Sequence, residues 1–397
     1  MARETEQERR RPEADTTTTD PATTAAPTSS SSFTSHGQIP GVQTATAQPG
    51  PSASDRAFGP KTGGPEIDAT SEAMGKHMTE GMDRANVAPG SNGQYDIHHG
   101  IHYWYNYKSE CEQAGKADLW KDEYRYGHTE AKQFVNPHET GNFMDWSLKK
   151  GQSASQAIKD WLKGATVAEC LSTVVALEID TLRASIGDKK FDKLFGSADA
   201  KEDASVAPEN RMHVRASIQG TPVANYMKAT ALADHARQGG QFGTVPEAEL
   251  DKELIPGQWY YFYNHPKYLL KHPGGAWQGE NSLYMGKNEA GERMWSGLGA
   301  TASEDAMLDE MVQAYNAPRD DYDHRMLKEQ GVEGADGTYK DPLYDPKSGK
   351  FPDTVSKQDI VSSQPFAIGR TTRKGGLLET AGMELDAKKV QKTRDTE

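Results

Sequence analysis

The most apolar run of the chain covers residues 167–182, between two stretches that are much more polar. Every position from Val174 to Leu177 is apolar. This pattern predicts a helix that is buried on all sides instead of an amphipathic surface helix. A shorter periodic segment over 155–163 predicts a preceding helix, and the small residues 164–166 predict a loop that leads directly into the buried helix.

A second patterned region lies between residues 256 and 316. Pro256-Gly257 is a turn signal, the aromatic segment Trp259–Tyr263 predicts a strand, and 281–286 and 292–296 predict two more strands. The Thr301–Glu304 segment has a capping-box pattern and predicts a helix. The core-facing residues of that helix are expected to be Met307, Leu308, Met311 and Val312.

The remaining segments give less definite patterns. Met residues four apart at 74, 78 and 82 predict an amphipathic helix over 66–86, and a Met stripe of this kind is typical of a packing surface. We expect a surface loop at 196–222 and a helix at 223–237. Beyond residue 318 the chain is polar and rich in Asp, Gly and Pro, so we expect irregular structure and a frayed C-terminus there.

The first 60 residues are of low complexity, with runs of Thr and Ser and scattered Pro. Such a segment buries too little apolar surface to offset the entropy of ordering it, so it is predicted to be disordered. It is either a passive tail or a signal for recruitment to, or export with, a larger assembly. The hydrophobic content of the whole chain, 35%, fits a globular protein with such a tail.

Charge and cysteine content exclude several classes of function. With 45 basic and 58 acidic residues the formal charge is −13, which argues against general nucleic-acid binding and against an anionic membrane surface. Two cysteines, Cys111 and Cys170, are too few for a disulfide framework or a cysteine-based zinc site. Because no signal peptide or membrane-spanning run is found, we expect a cytoplasmic protein.

Cys170 is the first candidate for chemistry, since it lies near the start of the buried helix, just after the loop of small residues. Unpaired backbone N–H groups and the helix dipole favour an anion at a helix N-terminus, and the thiolate is the nucleophilic form of cysteine. The alternative is an inert core cysteine, which is common on apolar helices. Cys111 has polar neighbours and is expected to be an exposed or semi-exposed thiol without a catalytic role.

A thiol of ordinary pKa needs a base, and papain-like sites carry that base on a strand beside the nucleophile helix. Glu280 stands at the start of the predicted strand 281–286. Taken alone, Glu280 is better explained as a solvated carboxylate at a strand end.

Two blocks of sequence together resemble the bacterial spore-coat-type protein-glutamine gamma-glutamyltransferases. The first runs from Ala157 through Glu169-Cys170 to Phe191, and the second contains Trp277-Gln278-Gly279-Glu280-Asn281 and Gly297-Leu298-Gly299. The similarity covers roughly residues 140–317. Each motif alone is weak, whereas their combination and order are specific.

The resemblance implies an α+β, papain-like (NlpC/P60-type) core, in which a buried nucleophile helix packs on a small antiparallel sheet. It implies a tail over 1–60, an N-terminal extension over 61–139, a catalytic core over 140–317 and a C-terminal extension over 318–397. The implied reaction transfers the acyl group of a protein glutamine to a lysine amine, releases ammonia, and requires neither a cofactor nor a metal ion.

The resemblance also implies roles for individual residues. Cys170 is the nucleophile, Glu280 its partner, and Glu169 a second, partly substituting carboxylate; we therefore expect Glu280→Gln to impair turnover more than Glu169→Gln. Because a carboxyl pKa near ~4 is poorly matched to a thiol near ~8.5, burial must raise the carboxyl pKa. The residues implied in substrate binding are Trp277, Asn281 and Ser296.

The sequence also departs from the family. Ser296 replaces a histidine and Gln278 replaces an arginine, and a glutamate-based mechanism tolerates the first change. The histidines at 98, 99 and 102 lack a clear carboxylate partner, which is weak evidence for a metal site. The acidic segment 320–323 lacks the glycine and terminal glutamate of an EF-hand loop, so a solvated turn is expected.

Three functions follow from these patterns. The first is protein crosslinking by acyl transfer from glutamine to lysine, with protein substrates as partners. The second uses water as the acceptor, which gives a glutamine deamidase or amidase of the kind used by a delivered effector or toxin. The third is an inactive scaffold domain. The choice between lysine and water depends on how well the cleft excludes water.

Overall fold

The structure is a computed structural model, and it describes residues 64–86, 96–104, 106–238, 251–273, 275, 277–298, 300–319, 321–330, 354–362 and 382–396. The low-complexity tail predicted over 1–60 lies outside these residues, as do Gly299 of the second motif and Asp320 of the acidic segment.

The helices are distributed along the whole described part of the chain. Their bounds are α1 Ser71–Ala85, α2 Tyr107–Gln113, α3 Pro137–Thr140, α4 Ala154–Lys163, α5 Cys170–Ile186, α6 Asp188–Phe195, α7 Ala200–Ser205, α8 Ala231–Gln238, α9 Tyr268–Lys271, α10 Glu304–Asn316, α11 Asp321–Glu329, α12 Lys357–Ser362 and α13 Ala387–Asp395.

The strands form three sheets within the described residues. Their bounds are β1 Ile101–Tyr103, β2 His128–Thr129, β3 Phe134–Val135, β4 Asp145–Leu148, β5 Thr166–Ala168, β6 His213–Arg215, β7 Met227–Ala229, β8 Trp259–Tyr263, β9 Gly279–Lys287, β10 Arg293–Gly297, β11 Ala300–Ser303 and β12 Met383–Leu385. The sheet orders are β1-β5-β2, β3-β4-β6 and β11-β10-β9-β8-β12-β7.

Helix α5 is buried along its length, since all of its residues after Cys170 are buried. It packs on one side against β9 of the six-stranded sheet and elsewhere against α1, α4, α6 and α13. The strand pairings β8–β9, β9–β10 and β10–β11 are all antiparallel. The expected α+β core, with a buried helix on an antiparallel sheet, is therefore confirmed.

Several predicted elements agree with the structure. The strand Trp259–Tyr263 has the predicted bounds, and the helix expected over 155–163 is α4. The Met stripe of α1 is buried, with Met82 and its neighbours in the same apolar cluster as α5. In α10, Met307, Leu308 and Met311 are buried, while Val312 packs at the edge of the cluster.

Other expectations are wrong. The segment 196–222 contains α7 and β6 instead of a loop, and β7 occupies part of the helix expected at 223–237. Thr301 lies in β11, and the cap of α10 is Ser303, whose side chain accepts a hydrogen bond from the Ala306 N–H. The local patterns of these short elements are too brief to distinguish them from loops.

The expectation of irregular structure beyond 318 is also wrong for the described residues. Strand β12 pairs antiparallel with β7 and with β8, which places it inside the six-stranded sheet. Helix α13 follows it and packs against α5, with Val390 fully buried. Pairing with a distant strand satisfies the backbone of a segment whose own sequence predicts little structure. In the described part of the chain, every helix is too short or too polar to span a bilayer.

Candidate active site

Cys170 is the first residue of α5 and follows β5 after a single intervening residue, Glu169. The predicted position at a helix start is therefore confirmed. Its side chain is half-buried, whereas the residues that follow it in α5 are buried. The thiol thus lies at the one end of the helix that the packing leaves partly open.

Glu169 is the N-cap residue of α5. Its Oε2 accepts a hydrogen bond from the Leu171 N–H (2.9 Å), and its Oε1 accepts from the N–H and the hydroxyl of Ser172, the latter at 2.8 Å. The first free N–H groups of the helix are therefore directed at this carboxyl group. The expectation that they favour a thiolate at Cys170 is not met, because Glu169 is the anion that they stabilise.

The Cys170 sulfur has two side-chain hydrogen-bond partners. Its S–H donates to Glu169 Oε2 (3.5 Å), and Asn281 Nδ2 donates to the sulfur (3.2 Å). The backbone N–H of Asn281 also points at the sulfur. Trp259 Nε1 donates to Asn281 Oδ1 (3.0 Å), which fixes the orientation of the amide so that its NH₂ group faces the thiol.

Glu280 lies next to Asn281 on β9, and adjacent strand residues point to opposite faces of the sheet. Its carboxyl group lies against Gly297 of β10, where a Cβ would overlap it, and it accepts a hydrogen bond from the Leu298 N–H. Among the described residues, Glu280 Oε1 is buried without a hydrogen-bond partner, and the carboxyl group is not hydrogen-bonded to the Cys170 sulfur. The thiol therefore touches Glu169 and Asn281 directly, and Glu280 acts on it through the electric field.

The ionisable groups of the site are all biased toward their neutral forms. Burial raises the pKa of the Cys170 thiol well above its ordinary value, and the carboxylates of Glu280 and Glu169 raise it further. Burial, then repulsion from Glu169, raises the pKa of Glu280 well above its ordinary value. Burial also raises the pKa of Glu169, although the hydrogen bonds from Leu171 and Ser172 oppose that rise. Both carboxyl pKa values are thus shifted in the direction that acid–base chemistry near neutral pH requires.

The other motif residues are placed differently. Trp277 is half-buried at the edge of the apolar cluster under the sheet, and its backbone N–H donates to the Tyr268 hydroxyl (3.2 Å). Ser296 is fully buried, and its hydroxyl accepts hydrogen bonds from Asn86 Nδ2 (2.9 Å) and Thr301 (2.9 Å). Ser296 thus connects the end of α1 to the sheet.

Two tyrosines that the sequence patterns did not single out lie beside the site. Tyr103 ends β1, opposite Ala168 of β5, and Tyr261 pairs with Asn281 across β8 and β9. In both phenols, burial raises the pKa well above its ordinary value, and electrostatic interactions with Cys170, Glu280 and Glu169 raise it further. The only sequence signal was the aromatic content of both segments, which does not distinguish a site from a core.

The remaining candidates lie outside this site. Cys111 is fully buried, so the expectation of an exposed thiol is wrong; α2 folds its sulfur into a cluster with Tyr107. His102 is bonded through Nδ1 to Glu110 (2.6 Å), and His99 to Asp96 (3.1 Å). Over the described ranges there is no group of three or more His, Cys, Asp or Glu residues placed to hold a metal ion.

Comparison with known proteins gives two similarities. The family model described as protein-glutamine gamma-glutamyltransferase matches residues 125–326, just over half of the chain. A solved structure of a transglutaminase from Geobacillus stearothermophilus, without its C-terminal extension, is 14% identical, with a TM-score of 0.33, over 61% of this chain and 81% of that chain. No curated protein shows a significant match.

Proposed function

Because this chain belongs to the protein-glutamine gamma-glutamyltransferase family, and is thus an acyltransferase that acts on protein substrates, we propose that Cys170 is its nucleophile and that Glu169 and Glu280 are its acid–base pair. The single observation that carries the proposal is the thiol at the half-buried head of α5, hydrogen-bonded to both Glu169 and Asn281. A thiol held between a proton acceptor and a donor is arranged for nucleophilic attack.

In the first half of the reaction, the Cys170 thiol transfers its proton to Glu169 as the sulfur attacks the carbonyl carbon of a glutamine side chain. Glu280, which burial keeps protonated, donates its proton to the leaving nitrogen as the C–N bond breaks. The products are ammonia and a thioester of Cys170. The proton held by the pair has moved from Glu280 to Glu169, so the number of protons on the pair is unchanged.

In the second half, a lysine amine attacks the thioester carbonyl carbon and loses a proton to ionised Glu280. The C–S bond breaks, and Glu169 returns its proton to the sulfur. The product is an isopeptide bond, and both carboxyl groups regain their initial protonation states. Two carboxyl groups with different environments can serve these two roles because their pKa values are set apart.

The surroundings of the two carboxyl groups support this division of roles. Glu169 receives three hydrogen bonds from Leu171 and Ser172 and is therefore the better stabilised anion. Glu280 has an unpaired buried oxygen and its pKa is raised more strongly, first by burial and then by Glu169, so it is the better proton donor near neutral pH.

The three residues implied in substrate binding are assigned different roles. We assign Asn281 to holding the nucleophile and Ser296 to supporting the fold, because one is bonded to the sulfur and the other is buried between Asn86 and Thr301. Trp277 is half-buried and keeps its proposed role as a substrate contact. Recruitment to a larger assembly through residues 1–60 and a cytoplasmic location remain predictions.

The test is to incubate the full chain with a glutamine-containing protein and a fluorescent primary amine, and to measure amine incorporation and ammonia release. We expect both signals from the wild type and neither from Cys170→Ala. The matched control is Cys111→Ser, which changes the other thiol, buried away from the site, and should keep both signals.

Ammonia release without amine incorporation would support a deamidase or amidase instead of a transferase. The absence of both signals in the wild type would support an inactive scaffold. Activity that persists in Cys170→Ala would refute the assignment of the nucleophile.

A further inference from the structure

Acyl transfer through a thioester places negative charge on the carbonyl oxygen of the substrate, and such an oxyanion needs hydrogen-bond donors fixed in advance. Several donors near the Cys170 sulfur are already committed. The N–H groups of Leu171 and Ser172 are bonded to Glu169. The Asn281 NH₂ group is bonded to the sulfur, and its carbonyl oxygen to Trp259.

Strand β1 brings another donor to the same place. It pairs with β5 in parallel, with Tyr103 opposite Ala168, and the Trp104 N–H continues the pairing to the Ala168 carbonyl (2.9 Å). Parallel strands end at a common edge of the sheet, so Tyr103 lies where β5 gives way to Glu169 and Cys170. Tyr103 is half-buried at this edge.

The charge environment of Tyr103 agrees with this placement. Burial raises the pKa of the phenol well above its ordinary value, and Cys170, Glu280 and Glu169 raise it further. The hydroxyl therefore stays protonated and can act as a donor. A second hydroxyl, that of Tyr261, is in the same field, but its side chain is only 4% exposed.

The packing of Tyr261 further limits its access to a substrate. Its ring lies against Gly279, where a Cβ would overlap it, and its centroid is 4.3 Å from that of Tyr263. Tyr103 is the less enclosed of the two phenols.

We propose that the Tyr103 hydroxyl donates a hydrogen bond to the carbonyl oxygen of the substrate glutamine and to the oxyanion that forms when Cys170 attacks. This rests on the proposed function. Tyr103 precedes residue 125, where the family match begins, so the N-terminal segment contributes a catalytic residue to a site that is otherwise built from the family region.

The experiment compares wild type with Tyr103→Phe, using an N-protected glutaminyl dipeptide as donor and a fluorescent amine as acceptor. We expect kcat to fall by about 10²-fold, the usual effect of losing one oxyanion donor, with KM little changed. Thermal stability should be retained, because the ring remains. The rate of Cys170 alkylation by iodoacetamide, measured against pH, should also be unchanged, since the hydroxyl acts on the substrate and not on the thiol.

The matched control is Tyr107→Phe, which removes a hydroxyl from the same segment that donates to the Ile97 carbonyl (3.2 Å). It should keep kcat. Unchanged turnover in Tyr103→Phe, a rise in KM alone, or a shift of the alkylation profile that accounts for the lost activity would each overturn the proposal. The active wild type and inactive Cys170→Ala show separately whether the proposed function itself holds.

Discussion

In the C-terminal half of α5, the fully buried Arg183 guanidinium is bonded to Asp180 (2.6 Å), Glu66 (2.8 Å) and Asp188 (2.6 Å). Near the N-terminal end of the same helix, no cation is bonded to Glu169, Cys170 or Glu280 in the described structure. One end thus pairs its charges with a cation, and the other does not.

The presence or absence of a cationic partner shifts the pKa values of the two sets of carboxyl groups in opposite directions. Burial by itself would raise the pKa of Asp180, but Arg183 and His77 outweigh it and hold the pKa well below its ordinary value. At the other end, burial raises the pKa of Glu280, and Glu169 adds to the rise. Paired charges stay ionised and hold α5 to its neighbours, whereas unpaired groups become neutral and can exchange protons.

The largest expected effect comes from removing the cation of the paired end. Arg183→Met leaves Asp180, Glu66 and Asp188 buried without their partner, so we expect a loss of about 3–5 kcal/mol in the free energy of unfolding. Chemical denaturation measures it. The control is Arg215→Met, since the side chain of Arg215 is 37% exposed and its pairing with Asp145 is expected to contribute less than about 1 kcal/mol. Equal losses in both variants would contradict the comparison.

The next largest effect is expected from Glu280, near the end of α5 that has no cationic partner in the described structure. Burial and Glu169 raise the pKa of Glu280 and so favour its protonated form, which Glu280→Gln matches in charge and shape. Thermal stability should therefore hold while turnover falls by about 10²-fold or more. Wild-type turnover should fall as pH rises through the raised pKa of Glu280, and the variant should lack this fall. Steady-state rates against pH measure both.

Glu169→Gln should impair turnover less, because a thiol gives up its proton more readily than an amide nitrogen departs without one. It should also lower stability by about 1 kcal/mol, since it changes the N-cap of α5. The control for both variants is Glu209→Gln at an exposed position. Equal turnover in wild type and both site variants would refute the acid–base pair.

The smallest effect is expected from Glu178, a buried residue of α5, and concerns the free energy of unfolding. Glu178 is 1% exposed and, in the described structure, its Oε1 has no partner; burial and then Glu384 raise its pKa. Because its pKa is higher in the folded than in the unfolded protein, Glu178 contributes to stability below the unfolded pKa of about 4.3. That contribution is lost as pH rises through the raised pKa of the folded protein. Glu178→Gln should therefore increase stability by about 1 kcal/mol at pH 8 and much less at pH 4.

Asp180 should show the opposite dependence of stability on pH. Its pKa is lowered, so its contribution is present above the unfolded value of about 3.9 and is lost as pH falls. Asp180→Asn should destabilise the protein at neutral pH, with a loss that shrinks in acid. Thermal unfolding of both variants across pH checks the signs, and parallel pH dependences would contradict the distinction between paired and unpaired groups.

Much of the fold and the candidate site could be predicted from local pattern. The uninterrupted apolar run identified α5, the aromatic segment identified β8, the strand predicted over 281–286 lies within β9, and the two motifs identified Cys170 and Glu280. Strand β12 could not be predicted, because its pairing with β7 and β8 depends on residues more than a hundred positions away. Tyr103 was missed for the same reason, since only the pairing of β1 with β5 brings it to the cysteine.

The sequence by itself determined the chemical groups: a cysteine at the head of an apolar helix, a carboxyl residue immediately before it, and a Glu-Asn pair at the start of a strand. Only the tertiary structure decided which of them touch. It directed the first N–H groups of α5 to Glu169 instead of Cys170, and it turned Asn281 toward the sulfur and Glu280 toward Gly297. Composition specifies which groups can ionise, whereas their pKa values depend on burial and on neighbours that the folded chain brings together.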